Sequence, residues 1–492
     1  MTPKTIFLTK SKYLTGLECP RYLWMLIHNP DKIREKNIVE EFIIEEGNKV
    51  GEIAKRLFPD GKDVPFEDFK SNIEKTKEFL KENKILFEAG FLRDNCSSRM
   101  DILVPVGKNE FDIVEVKSST RVKDVNIFDV AFQKYCCEGN GIRIRKCFLM
   151  HTNNQYVRNG EIKPAELLIK EDVTAEVNEN IKGIQNRINK ILEMMSSDEP
   201  PRAGILDVKI IKDGYHDCFM EECVELPDNH VFCLYRGGKL SCGLYNEGIE
   251  EIKKIPNHIK LNDKQKIQRD CEVNNKVHVD KKKIREFLDG LEYPLYFLDF
   301  ETICNKAVPM FNGVNPYQQI PFQFSLHVLK DENSKPEHHE FLYSGNGDPR
   351  KEFFSELKKV LEDKGSIIVF NQTFEVSRLK ELAEWFPEES EWVDNVLPRI
   401  VDLLIPFRDF AYYNPKQQGS ASIKDIFPAL CGESHKELEI SEGGTASVEF
   451  YNMTYDNFRG NKEQIRKNLL KYCEMDTLAE VKIIDKLKEL VR

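Results

Sequence analysis

Acidic residues in two separated segments of the C-terminal half have types and spacings that could bind metal ions. Asp299 and Glu301 end an apolar, aromatic run (294–298) that predicts a buried strand, and side chains two apart on a strand face the same side. Tyr472 and Asp476 stand four apart in a segment with helical periodicity, so both lie on one helical face. The pattern predicts that the acids and the phenol converge.

Hydrolysis of a phosphodiester is the chemistry that such a cluster could perform. The attacking water must lose a proton near neutral pH while charge develops on the attacking and leaving oxygens, and two Mg²⁺ or Mn²⁺ ions about 4 Å apart meet both needs. A buried strand (365–370) predicts a following helix with Asn371 and Glu375 on one face, and Asp402 ends another predicted strand. The acids expected to hold the metal are Asp299, Glu301, Glu375 and Asp476. We expect Tyr472 to orient the attacking water.

A second group of charged residues lies in the N-terminal half. The alternating run 111–117 predicts a strand with Glu115 and Lys117 on one face, and Asp101 opens a neighbouring strand. Two carboxylates can bind one metal, and a lysine can hold or acidify the attacking water. The alternative interpretation is an edge strand protected from aggregation by its charges.

Length and composition limit the class of protein. At 492 residues the chain is too long for one hydrophobic core and predicts two or three domains. The sequence is 40% hydrophobic and 32% charged, lacks an apolar stretch of the roughly 20 residues that span a membrane, and begins without the pattern of a secretory signal. We expect a cytoplasmic protein with no membrane partner.

Charge and cysteine content narrow the choice of ligands. The net charge of −11 argues against a general polyanion binder, although acids that bind metal ions contribute part of it. The 13 scattered cysteines differ from a secreted disulfide framework and predict reduced thiols or a metal centre. The chain has no Gly-x-x-x-x-Gly-Lys-Ser/Thr loop, so any unwinding of nucleic acid would come from a partner such as a helicase.

The order of patterns along the chain predicts an α/β fold with three segments. Residues 1–200 form an α/β domain that closes with an amphipathic helix over 171–195, and the run 196–201 breaks that helix. Residues 201–281 form a connector that contains cysteines. Residues 282–492 alternate strands and helices, as an α/β layer domain does.

The C-terminal motifs resemble those of the DEDD exonucleases with a ribonuclease H-like fold, in the subgroup with a catalytic tyrosine. The matching segments are Asp299-Phe-Glu301, Asn371 to Glu375, Asp402 and Tyr472 to Asp476. This resemblance implies a metal-dependent exonuclease domain. The chain departs from the family at Glu375, where the family usually has Asp.

The N-terminal motifs resemble PD-(D/E)XK nucleases of the RecB type, similar to those of CRISPR adaptation. The supporting segments are Cys19-Pro-Arg, Glu46 to Glu52, Glu88 and Gln133. Relatives carry a metal-binding His on the early helix, where this chain offers Glu52 or nothing. The resemblance also implies a four-iron cluster, for which Cys19, Cys218 and Cys223 are candidates without a convincing fourth cysteine.

Taken over nearly the whole chain, the arrangement resembles an uncharacterised prokaryotic family of two-nuclease proteins. This resemblance implies a fold and a chemistry but no pathway. Our first hypothesis is a metal-dependent nuclease with two candidate sites, which acts on single strands or free ends of DNA in repair or defence. A nucleic-acid-binding scaffold with inactive nuclease folds and an exonuclease that processes RNA remain alternatives. The strand with Arg143, Arg145 and Lys146 either contacts phosphates or forms a solvated edge.

Overall fold

The structure is a computed structural model that describes residues 7–201, 223, 225–434, 438–456 and 458–492. It is a mixed α/β fold, as predicted. Two compact units make up the chain: Met1–Glu225 with Lys306–Tyr317, and Leu226–Asn305 with Gln318–Arg492. Residues 226–281 of the predicted connector therefore fall within the second unit. None of the described helices combines the length and the apolar character needed to cross a membrane.

The first unit is built around one mixed sheet. Its strands are β1 Leu8–Thr9, β2 Lys62–Asp63, β3 Leu86–Arg93, β4 Cys96–Gly107, β5 Glu110–Lys117, β6 Arg143–Thr152 and β7 Leu168–Asp172. Its helices are α1 Lys10–Glu18, α2 Pro20–His28, α3 Ile38–Lys55, α4 Phe69–Phe79, α5 Asp124–Glu138, α6 Pro164–Leu167, α7 Thr174–Ile181 and α8 Ile184–Met195. The strand order is β2-β3-β4-β5-β6-β7, with β1 added beside β4.

Helix α5 connects the neighbouring strands β5 and β6 of this sheet. Strands β5 and β6 are parallel, and parallel neighbours need a crossover connection, which α5 provides. Phe128 and Phe132 of α5 pack in one core with Phe91, Met100 and Ile113 of the sheet. The buried side chains of this helix include the polar Asp129 and Gln133.

The second unit contains a five-stranded sheet and a long C-terminal helix. Its strands are β8 His278–Val279, β9 Leu295–Ile303, β10 Ile320–Leu329, β11 Glu337–Leu342, β12 Ile367–Val369, β13 Ile400–Asp402 and β14 Tyr412–Tyr413. Its helices are α9 Gly238–Asn246, α10 Asp263–Asn274, α11 Lys281–Asp289, α12 Arg350–Val360, α13 Thr373–Trp385, α14 Ser390–Val396, α15 Ile405–Arg408, α16 Ile423–Cys431, α17 Gly443–Tyr455 and α18 Lys462–Val491. The main sheet runs β11-β10-β9-β12-β13.

Strand β9 is central, and its two faces enter different cores. It pairs antiparallel with β10 and parallel with β12. Tyr296 and Leu298 pack into one core, whereas Leu295 and Phe297 pack with Ile483 of α18 in another. Because strand side chains alternate, the face that carries residues 295 and 297 also carries residues 299 and 301, and α18 covers it.

Three sequence predictions about elements need correction. The single helix over 171–195 is wrong: residues 171 and 172 belong to β7, and α7 and α8 are separate helices. Gly183 stands between them, where the entropic cost of glycine weakens a helix. The sequence over residues 69–84 also predicts one charged helix, but the α-helix ends at Phe79. Asn371 precedes α13 with a φ of 70°, so it does not share a helical face with Glu375.

Residues 306–317 form an unpredicted part of the first unit, although they lie between β9 and β10 in the sequence. The Lys306 ammonium lies 2.6 Å from a carboxylate oxygen of Glu46, and both side chains are buried. The Tyr317 hydroxyl donates a hydrogen bond to the Ser118 carbonyl. Glu46 of the early-helix motif is therefore an ion-pair partner, while the exposed Glu52 pairs with Lys55.

Candidate metal centre and lysine cluster

Asp299, Glu301 and Asp476 meet in the second unit and are called the carboxylate cluster below. One oxygen from each of the three lies within 4.8 Å of the others. Asp299 and Glu301 come from β9, and Asp476 comes from α18, which packs on the same face. Two local periodicities, of the strand and of the helix, thus bring together acids 175 residues apart in the chain.

Burial and mutual repulsion dominate the electrostatics of this cluster. Burial, and then the charge of Asp476, raises the pKa of Asp299 well above its ordinary value. Burial, and then Asp299 and Asp476, does the same for Glu301. Lys424 opposes both shifts to a lesser degree. In the absence of a cation, these carboxyls therefore favour holding protons.

Further polar groups surround the carboxylate cluster. The buried Glu375 and Glu480 each have a carboxylate oxygen, Oε2, without a hydrogen-bond partner in the described structure. Burial, and then Asp299, raises the pKa of each. Glu375 does not belong to the group within 4.8 Å, so three of the four predicted ligands converge and the fourth lies outside.

This donor set fits a hard divalent cation. Carboxylate oxygens are the ligands that Mg²⁺ and Mn²⁺ prefer, and an orphaned buried carboxylate oxygen costs free energy unless a cation or a proton compensates it. The cluster supplies the oxygens, and Glu375 and Glu480 supply additional buried negative charge. The residues therefore match the predicted metal.

Tyr472 lies one helical turn before Asp476 and is buried. Burial, and then Glu301, Asp476 and Asp299, raises the pKa of its phenol, so the hydroxyl keeps its proton and can donate a hydrogen bond. The position that a Cβ would take at Gly443 is 3.9 Å from this hydroxyl and 3.6 Å from Glu301 Oε2. Helix α17 begins at Gly443, and the positive end of a helix dipole stabilises nearby negative charge.

Several neighbours of the cluster were missed from the sequence: Cys473, Lys424, Gly443 and Glu480. Cys473 Sγ lies 3.3 Å from Asp299 Oδ2. Glu480 follows Asp476 by four residues, so helical periodicity was a usable signal for it. Asp402 has another role, because its Oδ1 accepts hydrogen bonds from the backbone N–H groups of Asn371 and Leu404 at 3.0 Å.

The residues predicted for the first site form a different arrangement, called the lysine cluster below. Glu115 Oε1 accepts hydrogen bonds from Lys10 at 2.8 Å and Lys117 at 2.7 Å. Lys117 and Gln133 also bond Asp129 at 2.7 and 2.8 Å. Gln133 reaches Glu115 Oε2 at 2.7 Å. Two buried acids are thus neutralised by two lysines.

Local structure explains how this cluster forms. Asp129 and Gln133 stand four apart on α5 and face β5 together. Strand β1 pairs with β4, and Thr9 caps the helix that begins at Lys10, which sets this lysine beside Glu115. Burial alone lowers the pKa of Lys117, but Glu115, Asp129 and Asp101 raise it well above its ordinary value.

Asp101 does not take part in these ion pairs. Its Oδ2 accepts a hydrogen bond from the Val116 N–H at 2.8 Å. Among the described residues of the first unit, no three acids, histidines or cysteines lie within 4.8 Å of one another. Glu115 Oε1 already contacts the ammonium groups of both Lys10 and Lys117, so a metal ion at this carboxylate would have to displace a lysine.

Replacing Glu115 with alanine is expected to destabilise the first unit by about 3 kcal/mol, because Lys10 and Lys117 lose a shared buried partner. Unfolding in urea, followed by Trp24 fluorescence in a Trp385→Phe, Trp392→Phe background, measures this change. Glu110→Ala is the matched control on the same strand, since Glu110 pairs with the exposed Arg143. Equal stability of the two variants would contradict the interpretation.

Two of the predicted cluster cysteines come together, although they are 204 residues apart. Cys19 Sγ and Cys223 Sγ are separated by 3.9 Å, and Cys19 caps α2 by accepting the Tyr22 N–H. The hydrogen bond with Cys223 lowers the pKa of the Cys19 thiol to about 7. Cys218 lies outside the described residues, so the iron–sulfur cluster stays a prediction.

The Cys19 thiol should react with iodoacetamide along a pH profile whose midpoint lies near 7, because the thiolate is the nucleophile and its pKa is about 7. Cys223→Ala should move this midpoint upward by removing the hydrogen bond. Mass spectrometry of the peptide that contains Cys19 measures the rate. Cys242→Ala is the matched control, and an identical shift in that variant would disprove the assigned cause.

The basic strand of the first unit is paired rather than free. Arg145 donates two hydrogen bonds to Asp112, at 3.0 and 2.6 Å. Arg143 pairs with Glu110, and Lys146 pairs with Asp172. These pairs argue against free phosphate contact, and the predicted edge is wrong, because β6 lies between β5 and β7.

Similarity to known proteins covers part of the chain. A family model described as a domain of unknown function (DUF2779) matches residues 296–422. An uncharacterised protein of Mycoplasma genitalium is 25% identical over 234 residues, and one of Ureaplasma parvum is 27% identical over 245 residues. These matches cover 43% and 44% of this chain and 34% of each relative. The chain thus spans about a third of the length of the curated relatives it matches.

Proposed function

We propose that this chain is a metal-dependent nuclease that hydrolyses phosphodiester bonds of DNA at the carboxylate cluster of the second unit. The observation that carries the proposal is the convergence of Asp299, Glu301 and Asp476 within 4.8 Å. Mg²⁺ or Mn²⁺ bound there would lower the pKa of the attacking water and neutralise charge on the leaving oxygen.

The order of the strands supports this proposal. Strand β9 is the first of the main sheet, and β10 alone runs antiparallel to it, with β11, β12 and β13 parallel. The resulting 3-2-1-4-5 order, with the first acids on the central strand, is the order expected of a ribonuclease H-like domain. In the DEDD interpretation, the first motif lies on β9 and the last on α18.

In the proposed reaction, each group around the cluster would have a separate role. Asp299, Glu301 and Asp476 would bind the metal. The Tyr472 hydroxyl, which keeps its proton, would donate a hydrogen bond that orients the attacking water. The N-terminus of α17 beside Glu301 would favour the charge of the phosphate.

The first unit supports a nuclease ancestry and a second candidate site. Helix α3, strands β3, β4 and β5, helix α5 and strand β6 occur in the order expected of a PD-(D/E)XK core, with β2 and α4 inserted between α3 and β3. Asp101, Glu115 and Lys117 lie on β4 and β5, as the resemblance requires. Hydrolysis there would require Lys10 to leave Glu115, so we propose the carboxylate cluster as the principal site.

A cavity of the first unit favours unpaired nucleic acid as the ligand. It measures about 820 Å³ and is lined by Phe7, Phe66 and Phe69 together with Lys10 and Arg99. Phe7 and Phe66 are exposed, and exposed aromatic side chains suit the stacking of unpaired bases, whereas Lys10 and Arg99 are paired with Glu115 and Glu88. We therefore favour single-stranded DNA over duplex DNA, with a helicase or a defence protein as the partner that supplies it.

A scaffold without activity is the second candidate function, and the lysine cluster is the observation that favours it. Lys10 and Lys117 contact Glu115 in place of a cation. Such ion pairs could keep a nuclease fold stable after it has lost its metal. An exonuclease that processes RNA is a third candidate, since metal-bound carboxylates do not read the sugar.

An activity assay with labelled substrates separates these candidates. The purified chain is incubated with end-labelled single-stranded DNA, duplex DNA or RNA, in Mg²⁺, Mn²⁺ or EDTA. Metal-dependent, stepwise shortening that persists in Glu115→Ala and disappears in Asp299→Asn supports the proposal. Cleavage of RNA alone favours the RNA enzyme, and no cleavage in any metal favours the scaffold.

A further inference from the structure

A pair of histidines lies on the same sheet as the carboxylate cluster, outside the proposed reaction. His327 of β10 and His338 of β11 are direct cross-strand partners, so both rings stand on one face of the sheet. The rings stack with centroids 4.5 Å apart. Ser325 of β10 is the cross-strand partner of Asp299. His327 lies two residues after Ser325 on the same strand.

Helix α18 adds a carboxylate to the pair. Glu474 Oε1 lies 3.9 Å from His338 Nδ1. One nitrogen from each histidine and one oxygen of Glu474 lie within 4.8 Å of one another. We call His327, His338 and Glu474 the histidine cluster.

A chain of hydroxyl groups orients both rings. Thr477 Oγ1 lies 3.1 Å from the Glu474 carbonyl, 2.8 Å from Ser325 Oγ and 2.8 Å from His327 Nδ1. Ser325 Oγ lies 2.9 Å from His338 Nε2. One assignment satisfies every donor: Thr477 donates to the carbonyl, Ser325 donates to Thr477, His327 donates from Nδ1 to Thr477, and His338 donates from Nε2 to Ser325.

This assignment leaves one lone pair on each ring, at His327 Nε2 and His338 Nδ1. A histidine that binds a metal usually donates its other ring N–H to a fixed acceptor, which sets the tautomer. Neutral imidazole is the form that binds metals.

We propose that the histidine cluster is a second metal site, which binds a borderline divalent ion of the zinc class. Two imidazoles and one carboxylate are a ligand set for Zn²⁺, which takes three protein ligands and leaves one position for water. Nitrogen ligands distinguish this site from the all-oxygen carboxylate cluster, which suits Mg²⁺ and Mn²⁺.

The exposure of the histidine cluster and the position of Glu474 on α18 indicate what a bound ion would do. His338 is 23% exposed and Glu474 is 46% exposed, so an ion can reach the cluster and Glu474 can rotate to close on it. Glu474 precedes Asp476 by two residues on α18. A bound ion would tie the turn of the helix that carries Asp476 to β10 and β11, and would thereby brace the carboxylate cluster.

Zinc titration of the full-length chain tests the proposal. The chain is stripped with chelator and exchanged into saturating Mg²⁺, and zinc binding is measured by competition with a chromophoric chelator. We expect one zinc per chain at this site, and visible absorption of the Co²⁺ form typical of tetrahedral nitrogen and oxygen ligands. His338→Gln should weaken zinc binding at least about tenfold, and Ser325→Ala about tenfold, because it removes the acceptor that orients His338.

The chain supplies a matched control next to the ligand. His339 is exposed and points to the opposite face of β11, so His339→Gln should bind zinc like the wild type. Glu474→Gln, at an exposed helical position, provides a second ligand variant if His338→Gln does not fold by circular dichroism.

Three outcomes would overturn the proposal. The first is wild-type affinity in the ligand variant, and the second is an equal loss in His339→Gln. The third is zinc binding that disappears in Asp299→Asn but survives in His338→Gln, which would assign the ion to the carboxylate cluster. The proposal does not depend on nuclease activity, because zinc affinity is measured without a substrate.

Discussion

Asp299→Asn should reduce metal-dependent cleavage by about 1,000-fold, because loss of a metal ligand removes several kcal/mol of transition-state stabilisation. The substitution keeps the shape of the side chain and removes its charge. Asp299 is the residue of choice because it is half-buried on the central strand and its charge affects Glu301, Glu375 and Glu480. The measurement is the rate of shortening of end-labelled single-stranded DNA in Mn²⁺.

Two controls separate a metal effect from damage to the fold. Asp394→Asn removes an exposed carboxylate of α14 in the same unit and should leave the rate unchanged. Tyr472→Phe should lose less than Asp299→Asn, because a hydrogen bond that orients water contributes less than a metal ligand. Wild-type activity in Asp299→Asn would mean that any cleavage arises elsewhere in the chain.

Local periodicity explains which parts of the site could be predicted from the sequence. The apolar run before Asp299 and Glu301 predicts a strand, and the spacing of Tyr472 and Asp476 predicts a helix. Both elements form as predicted. The same reasoning, taken one turn further along α18, would have found Glu480. The convergence of these acids required a fold as well, since nothing local relates β9 to α18.

Contacts between distant segments account for the features that sequence reasoning missed. Lys10 pairs with Glu115 across 105 residues. Lys10 follows the helix-capping Thr9, and nothing in this local sequence indicates a contact with an acid on β5. Residues 306–317 join the first unit through side chains such as Lys306, and their sequence resembles an ordinary loop.

Without metal, the stability of the second unit should fall as pH rises, and Asp299→Asn should weaken this dependence. The pKa values of Asp299 and Glu301 are raised well above their ordinary values by burial first and by neighbouring acids second. Between about pH 4, where unfolded carboxyls ionise, and the raised pKa values, the folded state binds more protons than the unfolded state. Stability therefore declines with pH over this window, by up to about 1.4 kcal/mol per pH unit for each group.

Divalent metal should reverse this dependence, because a bound cation replaces the protons and binds better as the carboxyls ionise. Urea unfolding in EDTA and in Mg²⁺ at several pH values measures the effect. In a Trp24→Phe background the fluorescence comes from Trp385 and Trp392 of the second unit. In EDTA, Asp299→Asn should be more stable than the wild type at pH 8 and should gain little from Mg²⁺. Asp394→Asn should keep the wild-type dependence, and equal pH slopes in the wild type and Asp299→Asn would show that these acids do not hold raised pKa values.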